Sequence, residues 1–348
     1  MTTGAWTNIT DLKSRIGPDQ KIAKIAEYLS QCNQFLDDLP MKESNEIGGE
    51  EFVFRTSIPT GNFRALNQGT PGGKTTTAKG RVGMAELTGL SQIDQVLADQ
   101  SSDAAGYRET EDQGFLEGMA QTLIRTYFYG NSTVDPRQFM GLSAFYNTAS
   151  VANAPNAANV LNAGGTGSNN CSIWGVGWSP NTFYSAFPRG TVGGLHTDDK
   201  GNSWPAYDSF GNPFRAYTAF FTVFAGLVPK DWRYAFRIAN IDTTAAGLAG
   251  PNAYDLFAGL GQAMLFPPTM TAETSGITTS DAPGDAAPAM KWVMYANRTA
   301  RHWMDIQAIR NRQVLLTPDQ YAGKPVMRYR GIRINVVDQL LNTEARVV

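Results

Sequence analysis

"EEFVFRTSIPTGNFRALNQGTPGGKTTTAKGRVGMAEL", residues 50–87, admits two incompatible readings. Its centre, "GTPGGKTTT" (69–77), sets glycine, lysine and threonine in the order of a phosphate-binding loop. Such a loop needs Gly, four residues, then Gly-Lys-Ser/Thr, so that successive backbone N–H groups curl round the phosphates. Counting back from Gly73 reaches Gln68, and Gly69 is one residue too close. The flanks decide the matter. A phosphate loop leaves a buried strand and opens a helix whose N–H groups face the ligand. Here residues 74–87 are Thr-rich and lack a helical period, while 50–66 set Phe, Val and Ile among polar residues. The stretch therefore reads as a long two-stranded hairpin with a Gly-rich tip at 67–73. A hairpin of this kind is marginal alone in water and needs another surface beneath it.

Upstream, residues 19–39 place Ile22, Ile25, Leu29, Cys32, Leu36 and Leu39 at three- and four-residue steps. That spacing predicts an amphipathic helix, started at Asp19 and stopped by Pro40. It either packs on its own domain or forms an arm that lies on a neighbouring subunit. Downstream, residues 103–129 hold the longest helical pattern, with Phe115, Met119, Leu123 and Tyr127 in steps of four. Thr110 and Gln113 could form a capping box and split it, and Gly130 is the expected stop. Residues 171–178 and 290–296 read as strands, and 214–226 with 231–242 as an antiparallel pair. Residues 252–266 and 297–310 read as helical, and 329–348 as strand-rich. Strands and helices without regular β-α alternation predict an α+β fold.

Composition narrows the function. The 348 residues are 42% hydrophobic and only 17% charged, against about a quarter in ordinary domains. Lys and Arg number 29 against 31 Asp and Glu, a net charge of −2, which argues against a phosphate-gripping groove. Two cysteines, Cys32 and Cys171, are too few for a disulfide framework and read as reduced thiols. The start "MTTGAWTNITDLKSR" has no apolar core, so no secretory leader is expected. The apolar run at 216–228 is too short to cross a bilayer. His196 and His302 stand alone, and neighbouring Asp198 and Asp199 diverge, so no metal set is offered. No serine sits in a Gly-x-Ser-x-Gly elbow. Neither a catalytic constellation nor a cofactor is expected. The aromatic run at 214–236 reads as sheet core more readily than as a ligand platform.

An amphipathic arm, a long polar hairpin, a long helix and a strand-rich remainder occur here in an order that resembles the major capsid proteins of tailed bacteriophages with the HK97-type fold. The tail "YRGIRINVVDQLLNTE" adds a Gly-Ile step before Asp338-Gln339-Leu340, although Arg333 stands where many members have proline. The resemblance implies an N-terminal arm (1–49), an extended β-hairpin or E-loop (50–88), and a P-domain with its spine helix (89–146). It further implies an axial A-domain (most of 147–310) and C-terminal strands completing the core (311–348). It implies a coat subunit that self-assembles into pentamers and hexamers round double-stranded DNA. Assembly would take place in the host bacterial cytoplasm, with scaffolding, cement or decoration, and portal proteins as possible partners and no membrane. The expected inter-subunit contacts are Ile22, Ile25, Leu29 and Leu36 on the arm, and Phe52, Phe54, Ile58 and Phe63 on the hairpin. Lys74 and Lys79 lie where some relatives crosslink a lysine, although solvated tip residues are the commoner case. An encapsulin-type nanocompartment shell shares this fold and is the alternative. A nucleotide-dependent enzyme and a glycan-binding β protein are weaker readings.

Overall fold

Asp103 and Gly130 frame the longest helix among the described residues. The structure is a computed structural model describing residues 34–348, except 65, 102, 192, 203, 245–252, 268–289, 311–315 and 322–323. The first elements are α1 (Gln34–Asp38), β1 (Met41–Glu43), β2 (Gly49–Ser57), β3 (Thr76–Gly83) and β4 (Ala85–Asp94). Next come α2 (Gln95–Gln100), α3 (Ala104–Tyr129), α4 (Leu142–Phe145), β5 (Val160–Asn162), β6 (Asn170–Trp178) and β7 (Phe183–Phe187). The central strands are β8 (Leu195–Gly201), β9 (Pro205–Tyr207), β10 (Pro213–Pro229) and β11 (Ala235–Asp242). The last are α5 (Leu256–Ala263), β12 (Lys291–Ala296), α6 (Arg298–Arg310), β13 (Leu316–Tyr321), β14 (Lys324–Tyr329) and β15 (Ile332–Val336). Strands and helices are mixed without regular alternation, as expected of an α+β chain.

The expected split in α3 does not occur. Asp103 caps the helix by accepting the Gly106 N–H at 3.0 Å. The Thr110 hydroxyl donates one turn back to the Gly106 carbonyl at 2.8 Å, so it stays inside the helix instead of starting a new one. At the far end the Gly130 N–H donates to the Thr126 carbonyl at 2.8 Å. A Cβ at Gly130 would fall 2.4 Å from the Phe139 carbonyl oxygen, so only glycine lets the two segments meet.

Two apolar layers flank the sheet path β15-β12-β6, which β11 joins beside β6. One holds Leu123, Ile124, Tyr127 and Phe128 of α3 against Trp174, Val176 and Tyr295. The other holds Leu256, Leu260, Ala300 and Met304 of α5 and α6 against Ile173, Phe236, Ile238 and Met294. β6 is buried along its whole length, as a strand covered on both faces must be. Phe35 of α1 enters the first layer, its ring centroid 5.0 Å from those of Phe128 and Tyr295.

Asp38 locks that insertion. Its buried carboxylate accepts from Arg333 at 2.8 Å, Asn335 at 2.7 Å and Tyr295 at 3.2 Å, and pairs with Lys291 at 2.5 Å. Arg333, which stands where the resemblance implies proline, thus has a structural role. A proline there would carry no guanidinium, and the carboxylate would lose one of its two cations.

Two strand expectations are corrected. Residues 214–226 and 231–242 do not pair with each other. Over Thr218–Val223 β10 already has β4 on one side and β8 on the other, while β11 pairs with β6 and β5. The Trp232–Tyr234 turn, capped by Asp231, redirects the chain between them. Beyond β15 the C-terminal residues are largely irregular and are held by side chains. Arg237 and Glu344 form a buried ion pair at 2.8 Å. The Asn240 side chain bonds both the N–H and C=O of Val347 at 2.8 Å.

Burial, reinforced by Glu344, pushes the Cys171 thiol up to about 12. Burial likewise raises the hydroxyls of Tyr127 and Tyr146, and takes Tyr254 to about 12. These groups ionise more readily in the unfolded chain. Their contribution is therefore complete below pH 9 and is lost as pH climbs toward 12. Thermal melts between pH 8 and 12 should fall steadily above pH 9. Peptide mapping after iodoacetamide at pH 8 should find Cys171 unmodified until the chain unfolds. Rapid modification of the folded protein would contradict this burial.

Candidate assembly interface

The β2–β3 pair forms a separate two-stranded ribbon, so the hairpin expected from residues 50–87 is present. Lys74 precedes β3, a strand, and no helix opens behind it. That rules the phosphate-loop reading out on the geometry such a site needs.

The ribbon is anchored at its base. Glu50 is buried and accepts the Tyr184 hydroxyl at 2.8 Å and the Asn45 N–H at 2.7 Å. Burial, then the bond to Glu50, holds the Tyr184 hydroxyl well above its ordinary value. Opposite Glu50, Val82 is buried. Phe52 packs toward Tyr184, Ala186 and Val228, with its ring over Gly80, where a Cβ would fall 2.7 Å from the ring. Tyr184→Phe leaves a buried carboxylate oxygen without its donor, and should cost about 1–3 kcal/mol. Urea unfolding measures the loss. An unchanged midpoint would mean that Glu50 is not held by this bond.

Beyond that base the ribbon stands away from the other described residues. A cleft of about 720 Å³ separates Val53–Ile58 from Asn181 and the 230–233 turn. Ile58 is 72% exposed, Phe63 109% and Leu66 91%. Phe54 stays at the surface, 6.2 Å from the Phe52 ring. Lys74 is exposed, and Lys79 pairs with Glu51 at 3.3 Å across the ribbon. Of the arm residues, Leu36 is half-buried against its own core. Ile22, Ile25 and Leu29 lie outside the described residues.

The structure thus brings Phe52 and Phe54 together near the base and leaves Ile58 and Phe63 toward the tip. Leu66 and Val53 belong with them and were missed, although the apolar letters were legible in the same stretch. The Glu50–Tyr184 anchor had no sequence signal, because its partners lie 134 positions apart.

Among the described residues no group of His, Cys, Asp and Glu could hold a metal ion, and no helix is long and apolar enough to cross a membrane. Asp198 pairs with Lys200 at 2.6 Å and Asp199 with Arg108 at 2.8 Å, so the adjacent acids diverge as expected. What the ribbon can do chemically is bury its exposed apolar side chains against a further surface.

Residues 17–348 match the family described as major capsid protein GP7. A chain in the cryo-EM structure of bacteriophage Epsilon15 is similar, with a TM-score of 0.69 and 29% identity. The match covers 99% of this chain and 98% of that one. The capsid of bacteriophage JBD30 has a TM-score of 0.50 at 8% identity, over 90% of this chain and 93% of that one. At that identity the likeness is one of fold. No curated protein matches the chain in sequence.

Proposed function

The chain belongs to the major capsid protein GP7 family and is a bacteriophage coat protein of the HK97-type fold; from this we propose that its copies join as pentamers and hexamers of an icosahedral head enclosing double-stranded DNA. The observation that carries the reading is the hairpin. Among the described residues, Ile58, Phe63 and Leu66 stand in solvent on a ribbon anchored at its base. Apolar groups so presented gain roughly 25 cal/mol per Å² when a neighbour covers them, and many such contacts per shell add by multivalency. In this reading Phe52 and Phe54 support the ribbon, Ile58 and Phe63 touch the neighbour, and Lys74 and Lys79 are solvated. Ile22, Ile25 and Leu29 belong to an arm preceding the Phe35–Asp38 lock, and Leu36 to the lock itself.

The proposed division keeps the arm at 1–49, the hairpin at 50–88, the P-domain at 89–146 and the C-terminal strands at 311–348. Within 147–310, β8, β9 and the first half of β10 pair in the sheet of β4, and so go with the P-domain. The remainder forms the A-domain, which would meet its copies at the capsomer axes. The net charge of −2 suits a wall that holds nucleic acid without gripping it. Scaffolding, decoration and portal proteins are the proposed further partners.

Expression of the chain, alone and beside its phage's other head proteins, followed by negative-stain microscopy, tests the reading. Closed shells are expected. A monodisperse single-copy protein in both preparations would overturn it. Particles that hold protein cargo and no DNA in infected cells would favour the nanocompartment alternative.

A further inference from the structure

The tip of the ribbon is cationic as well as apolar. Residues 52–85 hold Arg55, Arg64, Lys74, Lys79 and Arg81 and no Asp or Glu. The whole chain has a net charge of −2, so everything outside this stretch is acidic on balance. Near the base the cations are answered from outside the stretch. Lys79 pairs with Glu51 at 3.3 Å and Arg81 with Glu46 at 3.0 Å. Arg55, Arg64 and Lys74 lie farther out and are exposed. Among the described residues none of the three has an ion-pair or side-chain hydrogen-bond partner. The exposed Ile58, Phe63 and Leu66 stand between Arg55 and Lys74.

Three other exposed apolar side chains have an acid beside them. Ile47 follows Glu46, Val134 precedes Asp135, and the Phe210 N–H donates to the Asp208 carboxylate at 2.9 Å. An adjacent carboxylate repels an anionic surface, and the tip has none. Residues 58–75 link β2 to β3 without strand or helix and include Pro59 and Pro71. Irregular backbone does not enter lipid hydrocarbon, because its N–H and C=O groups would lose their partners. It can lie among wet headgroups while apolar side chains reach toward the acyl chains. Single-stranded nucleic acid also attracts cations, but it is held by stacking on aromatic rings. Two of the three tip side chains, Ile58 and Leu66, are aliphatic. A stable hold on a bilayer takes two signals, apolar insertion and a basic patch that attracts anionic lipid. This loop carries both.

We propose that the hairpin tip of the unassembled chain docks on an anionic lipid surface. Ile58, Phe63 and Leu66 enter the headgroup zone, and Arg55, Arg64 and Lys74 pair with lipid phosphates. The proposal goes beyond the coat-protein reading, since a finished shell needs no membrane. A neighbour that covers the tip displaces the lipid, so free copies are held at the bilayer and shells are released from it.

Cosedimentation with vesicles of equal parts phosphatidylcholine and phosphatidylglycerol tests it, using the full chain below the concentration at which it assembles. The chain should pellet with these vesicles at least tenfold more than with phosphatidylcholine alone, and concentrated salt should release it. Arg64→Gln with Lys74→Gln should weaken pelleting at least tenfold at an unchanged melting temperature. Ile58→Ser, Phe63→Ser and Leu66→Ser together should do the same. If the triple variant melts far lower, the Gln pair decides, because it leaves the apolar groups in place. Equal pelleting with both vesicles, or undiminished pelleting of the Gln pair, would overturn the proposal. So would a chain that stays in solution with both vesicles, or one retained only by a single-stranded oligonucleotide. If such a chain still builds shells, the coat-protein reading stands. Vesicle binding by a chain that never builds shells would support the lipid contact and remove that reading.

Discussion

A chain carrying Ile58→Ser, Phe63→Ser and Leu66→Ser together should fold as the native protomer does and build no shells. The three side chains stand in solvent in the single copy, so the fold loses little when they are replaced. In a shell each is worth about 1.5–3 kcal/mol when covered. The low end of that sum is about 4.5 kcal/mol per copy, roughly two thousandfold in the concentration needed to assemble. The prediction needs two readings: sedimentation for the shells, and thermal melting for the protomer. Shells at the native threshold concentration would mean that the tip is not a contact. A protomer that melts far lower would mean that the tip packs on its own chain.

The largest effect on the fold itself should follow Arg237→Met. Arg237 is buried against Glu344, with its Nε–H donating to Ser172 at 3.0 Å and an Nη donating to the Tyr146 carbonyl at 2.8 Å. Its guanidinium also lies 4.8 Å from the centre of the Trp174 ring. Glu344 in turn accepts from Tyr129 and Ser172. Removing the cation alone leaves a buried carboxylate uncompensated, at a cost of about 3–5 kcal/mol, a large share of the roughly 5–15 kcal/mol that holds a domain folded. Urea unfolding should show that loss, with release of the C-terminal residues detected by carboxypeptidase. Adding Glu344→Leu should cost less than the two single losses combined, because the orphaned charge goes with it. Strict additivity would contradict a direct pair.

The elements legible in the sequence were those whose signal is local. Asp103, the four-residue apolar steps and Gly130 specify α3 without help from elsewhere. The Thr-rich flank behind Lys74 was enough to choose strand over phosphate loop. The misreadings have different physical causes. Residues 214–226 and 231–242 are both strands, but β10 takes β4, more than a hundred positions earlier, and no local pattern reports such a partner. Thr110 had the letters of a cap, yet its hydroxyl bonds within the helix. Of the proposed interface, the apolar letters were readable, because the outer part of the ribbon leaves them exposed. Its anchor at Glu50 and Tyr184 was not, since burial of a glutamate depends on a tyrosine in another strand. Arg333 looked like a departure from the family pattern, and its bond to Asp38 gives it a structural role.

The account stands on the hairpin being open in one copy and covered in many. Trypsin cleavage at Arg64 and Lys74, both exposed in the single chain, measures this directly. Cleavage at the two sites should be rapid in unassembled protein and at least a hundredfold slower in intact shells. Equal cleavage rates before and after assembly would show that no neighbour covers the ribbon.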